Sequence, residues 1–221
     1  MKSFYHFFEQ ADTSANQPPE RLSDKLVTTF GRHNPPHKGH GLVFDQAHDI
    51  AGNEGADQRF YTSKSQDRKK NPLPHDLKIK FLKKMFPKHS EKWDTDENVR
   101  TILGAAEKAH KDGYRDFHFI GGGDRKQEME NLLRKYNGNL FDFRNIYAHS
   151  AGERDDEGDE MEQLSASKLR GHAQRGDREK FYEGLPIKKR GFTMDDASEM
   201  FDALQTFGMK NEEYDYSPEL L

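Results

Sequence analysis

Two hydrophobic periods alternate along this chain. Short runs rich in β-branched and aromatic residues fall at 25–30 (KLVTTF), 59–63, 116–120 (DFHFI) and 143–148, and they predict strands. Between them, apolar residues three and four apart predict helices over 37–50, 73–86 and about 127–136. Leu77, Phe81, Leu82 and Met85 mark the apolar stripe of the second. Pro35 and Pro36 separate the first strand from the first helix, and Pro87 stops the second, because proline lacks the amide proton that a helix interior needs. Residues 99–110 are compatible with a strand or with the start of a helix. After an acidic stretch at 153–162, helices are expected at about 165–175, 178–183 and 194–207. Strands alternating with helices predict an α/β fold. Its form would be a Rossmann-like, doubly wound, mostly parallel sheet with helices on both faces and ligands at the carboxyl ends of its strands.

Residues 1–10 place Phe4, Tyr5, Phe7 and Phe8 at helix-compatible spacing, and 11–24 turn polar around Pro18 and Pro19, so 1–24 reads as an N-terminal arm and linker. The α/β domain is expected over 25–186, followed by a C-terminal helical extension, 187–221. There Met194, Ala197, Met200, Phe201, Leu204 and Phe207 line one side of a helix expected to pack on the sheet or to support a homo-oligomer.

A chain of 221 residues suits one domain with a core of its own and is short for two. Hydrophobic residues at 32% and charged residues at 33% imply a lean core under a wet surface. The 35 basic and 39 acidic side chains are interspersed and leave a net charge of −4, which gives no strong nucleic-acid signal while still allowing a local basic patch. With no cysteine, disulfides, thiolate catalysis and cysteine-ligated zinc are excluded. No run approaches the roughly 18 apolar residues of a membrane span, and the start lacks a secretory hydrophobic core. A soluble, cytoplasmic protein with no membrane partner is the expectation.

The string TFGRHNPPHKGH, residues 29–40, lies where the first strand hands over to the first helix. Such junctions bind phosphate: Gly31 lets a ligand approach the backbone, and the free amides and positive dipole end of the helix attract an anion. On a helix beginning at residue 37, His37 and His40 share a face and reach the same phosphate oxygens, with Gly39 leaving room for a nucleotide. Two solvated histidines would account for the same pair, as would a zinc or nickel site lacking a third ligand at recognisable spacing. The complete string resembles the GRFxPxHxGH signature of the HxGH nucleotidylyltransferase superfamily, especially its archaeal-type nicotinamide-mononucleotide adenylyltransferases. His33 stands where that signature has phenylalanine.

Far downstream, LSASKLR at 164–170 opens a helix, where serines are good caps. It resembles the second signature of the superfamily, ISxTxxR, which implies that Ser165, Ser167 and Arg170 hold the β- and γ-phosphates; an arginine fork fits phosphate oxygens bidentately. SKSQDRKKNPL at 63–73 resembles the acceptor loop of the same enzymes and implies acceptor contacts from Ser65, Gln66, Lys70 and Asn71. Lys69 and Lys70 also read as an ordinary solvated pair. FIGGGDR at 119–125 offers Gly121 and Asp124 to the nucleotide, or is a plain glycine turn; no Walker lysine follows it.

The resemblance implies transfer of a nucleoside monophosphate, foremost AMP from ATP, to a small phosphorylated acceptor such as nicotinamide mononucleotide, with pyrophosphate leaving. Mg²⁺ would bridge the phosphate oxygens of the nucleoside triphosphate, without a dedicated protein metal site. The implied catalytic set is Arg32, His37, His40 and Arg170, with Gly31, Asn34, Gly39, Gly121, Asp124, Ser165 and Ser167 at the nucleotide.

Residues 25–186 are most similar to the nucleotidyltransferase-like proteins of tailed bacteriophages, notably through SASKLRGHAQRGDREKFYEGLP at 165–186. The opening MKSFYHFFEQA resembles the capsid-targeting leader of internal phage head proteins, and it also fits an amphipathic helix docked on the domain. A phage-encoded protein would work in the cytoplasm of the infected host or travel in the virion with the capsid. A structural or packaged protein that keeps the fold is therefore the rival class, and cytidylyl transfer is a third reading.

Overall fold

The computed structural model describes residues 23–122, 126–151, 165–188 and 190–208. The arm up to residue 22, Asp124, the acidic stretch and residues 209–221 lie outside the described residues. Four strands, β1 (Lys25–Gly31), β2 (Asp57–Thr62), β3 (Asp116–Gly121) and β4 (Asn145–Ser150), form one parallel sheet in the order β2-β1-β3-β4. The helices are α1 (His40–Glu54), α2 (His75–Met85), α3 (Ile102–Lys111), α4 (Lys126–Tyr136), α5 (Ala166–Gln174), α6 (Arg178–Glu183) and α7 (Met194–Phe207), with a 3-10 turn at Pro87–Lys92.

Side chains alternate along a strand, so Leu26 and Phe119 face one way while Val27 and Ile120 face the other. The first pair packs with Ala105, Ala106 and Ala109 of α3 and with Met129 and Leu133 of α4. The second pair packs with Phe44, Ala47 and Ala51 of α1, and with Leu82 and Trp93. Helices thus cover both faces of the sheet, in the Rossmann-like, doubly wound arrangement that the periodicity predicts. β1 has β2 on one side and β3 on the other. The crevice at the carboxyl ends of β1 and β3 is therefore the switch point at which such sheets receive ligands.

Local chemistry sets the ends of the elements, and several differ from the periodic reading. α1 begins at His40 rather than at residue 37, because Pro35 and Pro36 hold the chain out of helix and residues 37–41 turn through short bonds first. In that turn the His40 amide donates to the His37 carbonyl at 3.0 Å and the Gly41 amide to Lys38 at 3.0 Å. α1 then runs past Ile50 to Gly55, whose left-handed conformation (φ 60°) closes it. The ambiguous stretch 99–110 resolves as helix α3, capped by the Thr101 hydroxyl, which accepts from the Gly104 amide at 3.1 Å. β4 starts two residues later than its apolar run, because Phe143 is spent on the α3/α4 core and sheet pairing begins at Asn145 opposite Asp116.

The C-terminal helices make a third layer. Leu169, Ala173, Phe181, Ala197, Met200, Phe201 and Leu204 close over Leu73, Phe81 and Met85, so α7 packs on α2, α5 and α6 where packing on the sheet was one expectation. A capping box at Thr193 and Asp196 starts α7, and Lys84 of α2 pairs with Asp196 at 2.5 Å. Among the described residues no helix is long and apolar enough to cross a membrane.

Trp93, the single tryptophan, belongs to the α1 side of the sheet, and Phe201 to the C-terminal layer. Phe201→Ala removes a buried ring and is expected to cost about 3–5 kcal/mol. Because α2 contributes to both clusters, the loss should appear in Trp93 fluorescence during urea unfolding. An unchanged Trp93 transition would mean that the helical layer folds apart from the sheet.

Candidate functional site

β1 ends at Gly31 and opens into the loop of the first motif. His33 takes a left-handed backbone (φ 45°) and turns its ring back over Gly31, where an added Cβ would lie 2.6 Å from His33 Nε2. The missing side chain of Gly31 is thus filled by an imidazole of the same loop. That ring is buried edge-on against His40 at 4.8 Å and Trp93 at 5.6 Å, and packs on Phe44. His33 therefore occupies an aromatic slot.

His37 and His40 come together, but not on a shared helical face, since His37 precedes the helix. Their rings lie 3.9 Å apart, and the His37 amide donates to His40 Nδ1 at 3.1 Å. With Nδ1 accepting, a neutral His40 carries its proton on Nε2 and offers it as a donor. Gly39 is the N-cap of α1, and Arg32, next after Gly31 in the loop, is exposed.

The second motif is packed directly against the first. Ser165 caps α5 by accepting from the Lys168 amide at 3.2 Å. Ser167 Oγ accepts from Arg170 Nη2 at 2.9 Å, and Arg170 Nη1 donates to the Asn34 carbonyl at 2.6 Å. The turn before α1 is also tied to the end of α6, where the Lys38 amide meets the Gly184 carbonyl at 3.2 Å.

The proposed acceptor loop joins from the β2 side. Asn34 Nδ2 donates to Asn71 Oδ1 and, at 3.1 Å, to the Leu73 carbonyl, while Asn34 Oδ1 accepts from the Leu73 amide at 3.0 Å. Asn71 Nδ2 donates in turn to Ser63 Oγ at 3.2 Å, to Ser65 Oγ at 2.7 Å and to the Ser65 carbonyl. Both asparagines are buried with their amides engaged inside the protein, so they organise the loops. Ser65, Gln66 and Lys70 are exposed. Gln66 is anchored through Nε2 to the Pro72 carbonyl at 2.8 Å and, with Lys64, Ser65, His75, Asp76, Glu97 and Arg100, borders a cavity of about 540 Å³. Gly121 ends β3 beside β1, and its Cβ-free position admits the Phe119 ring, whose Cε1 would lie 2.8 Å from an added Cβ.

One participant was not singled out from the sequence. Lys78 of α2 has no solvent exposure, and its ammonium donates to the Ser63 carbonyl, to Ser63 Oγ at 3.4 Å and to Asn71 Oδ1 at 3.3 Å. The signal was present: 78, 81, 82 and 85 are the positions of one helical stripe, and a lysine stands in a row otherwise made of Phe81, Leu82 and Met85. Burial pushes its pKa down to about 8. Burial also holds His33 well below the ordinary histidine value, with the nearby His40, Lys78 and His37 adding to the effect, so His33 is neutral at pH 7. Among the described residues no three His, Asp or Glu side chains converge as a metal site.

No model of a known protein family matches the chain, and no curated protein matches it.

The depressed Lys78 pKa makes stability depend on pH. Between about 8 and the ordinary 10.5 the unfolded chain holds the extra proton, so stability rises with pH across that window. Tyr114 bounds the window from above, because burial and its bond to Asp57 push its pKa up to about 12 and its contribution falls above roughly pH 10. The urea midpoint should therefore rise from about pH 8 to 9.5, by the equivalent of about 1–2 kcal/mol. The rise should be absent in Lys78→Met. A flat profile in the unmodified protein would contradict the buried, charged state of Lys78.

Proposed function

We propose that this chain is a nucleotidylyltransferase of the HxGH type, which moves a nucleoside monophosphate, foremost AMP from ATP, onto a small phosphorylated acceptor such as nicotinamide mononucleotide. The observation that carries this reading is the bond from Arg170 to the Asn34 carbonyl. Each motif alone has an ordinary explanation, as a turn or as a helix cap. Their packing against each other at the carboxyl end of β1 supports a triphosphate site, which needs both motifs in one place.

The chemistry follows from the groups present. An oxygen of the acceptor phosphate attacks the α-phosphorus of the triphosphate in line, the bond from that phosphorus to its bridging oxygen breaks, and pyrophosphate leaves with the electron pair. No side chain is needed as nucleophile. His40 offers a ring N–H to the phosphate oxygens as charge builds on them, and the Arg170 guanidinium supplies a fixed positive charge beside the same loop. The N-termini of α1 and α5 add amide donors. Mg²⁺ would come with the triphosphate as part of the substrate and would neutralise charge on its phosphates. The acceptor would lie along Ser65 and Gln66, in the cavity that they border with Arg100, where the Lys64 and Arg100 cations stand against the Asp76 and Glu97 carboxylates of the same lining.

The test is to incubate the protein with ATP or CTP, Mg²⁺ and a panel of phosphorylated acceptors, and to measure released pyrophosphate. His40→Ala is expected to lower kcat by about 10²–10³, with a fall in stability of no more than about 1–2 kcal/mol from the lost His37 amide bond. Arg170→Ala should chiefly raise KM for the triphosphate. A folded protein that releases no pyrophosphate with any pair would overturn the reading and leave the packaged structural role.

A further inference from the structure

Lys78 does not behave as an ordinary core residue. A fully buried ammonium normally comes with a carboxylate, because removing an unpaired charge from water is costly. Here its partners among the described residues are the uncharged oxygens of Ser63 and Asn71. Its charge acts on His33, in the loop after β1, and on His75, on its own helix. Both are basic, and both are held below the ordinary histidine value, first by burial and then by neighbouring positive charges that include Lys78. The atoms bonded to the cation are therefore neutral oxygens, and the carboxylates of Asp76 and Glu97 act on His75 without bonding to Lys78. Its bonds also span the site: Ser63 continues β2 into the acceptor loop, and Asn71 holds Asn34, whose carbonyl receives Arg170.

We propose that Lys78 is a positioning residue of the nucleotide site, a buried cation that keeps the acceptor loop in register with the histidine loop and takes the phosphorylated ligand as its missing counter-ion. This rests on the nucleotidyl-transfer reading. It goes beyond that reading by tying ligand affinity to a side chain that is sealed from solvent. An anion in the crevice lowers the cost of keeping Lys78 charged, so ligand binding and Lys78 protonation favour each other. An arginine at this position would stay charged at every pH and could not exchange that proton.

The experiment is calorimetric titration of the full chain with ATP, without acceptor, in pairs of buffers with different ionisation heats across about pH 7–9. ATP sheds its last proton near the lower end of this range, and histidine contributions also fall away toward its upper end. The expected result is proton uptake on binding that persists around pH 8, the value at which Lys78 titrates in the free protein. Lys78→Arg should bind ATP without that component, and Lys78→Met should bind about tenfold more weakly. If Lys78→Met does not fold, the comparison of the native chain with Lys78→Arg still decides. Native binding without uptake near pH 8, or uptake that survives in Lys78→Arg, would overturn the role of Lys78 and leave the transfer reading standing. Absence of binding to any nucleoside triphosphate by the native chain would overturn both.

Discussion

The carboxyl end of the sheet, where the candidate site lies, depends on the hydrogen bonding of a single buried asparagine. The Asn34 carbonyl receives Arg170 from α5, while its side chain receives the Leu73 amide and donates to Leu73 and Asn71. Three segments far apart in sequence meet there: the loop after β1, the loop after β2 and the first turn of α5. Water does not reach Asn34 or Asn71, so a polar group left unpaired among them would cost about 1–3 kcal/mol. Their mutual satisfaction fixes the three loops relative to one another.

Helix α2 extends this constraint into the core. Leu82 packs toward α1 and the sheet, whereas Phe81 and Met85 pack toward α5, α6 and α7. Lys78, on the same stripe, reaches the polar network instead. One helix therefore ties together the sheet, the C-terminal layer and the loops of the site, and a shift of α2 would be felt in all three. The C-terminal layer bears on the candidate site in turn, because packing of Leu169 and Ala173 holds Arg170 over Asn34.

The site keeps polar groups where an apolar core would be more stable. His33 Nδ1 and the Trp93 indole N–H are buried without a hydrogen-bond partner among the described residues, in a pocket otherwise lined by Phe44, Phe60 and Phe86. Lys78 lies buried close by. Such buried polar atoms gather on the α1 side of the sheet and at the carboxyl ends of the strands, while the α3/α4 face is packed mostly by apolar side chains, Ala105, Ala106, Ala109, Phe117 and Leu133 among them. The asymmetry is physical: one side of the molecule maximises apolar contact, and the other spends stability on organised charge.

The sequence by itself determined the alternation of strands and helices, hence the parallel α/β layering, and it placed a glycine- and histidine-bearing turn directly after the first strand. Those features follow from side-chain period and from the backbone limits of glycine and proline, which act over a few residues. It also marked Ser165, Ser167 and Arg170 at a helix start, but not what they would touch. Only the tertiary structure decided that Arg170 meets Asn34, that Asn34 and Asn71 are organisers buried inside the protein, and that α7 rests on α2. It alone brought His37 and His40 together through a turn, when helical spacing had suggested a shared face. Lys78 lies between these cases: its place in an apolar stripe was readable, but the oxygens that receive its charge come from the loop after β2. Pairings of that kind are set by the path of the whole chain, and no local pattern encodes them.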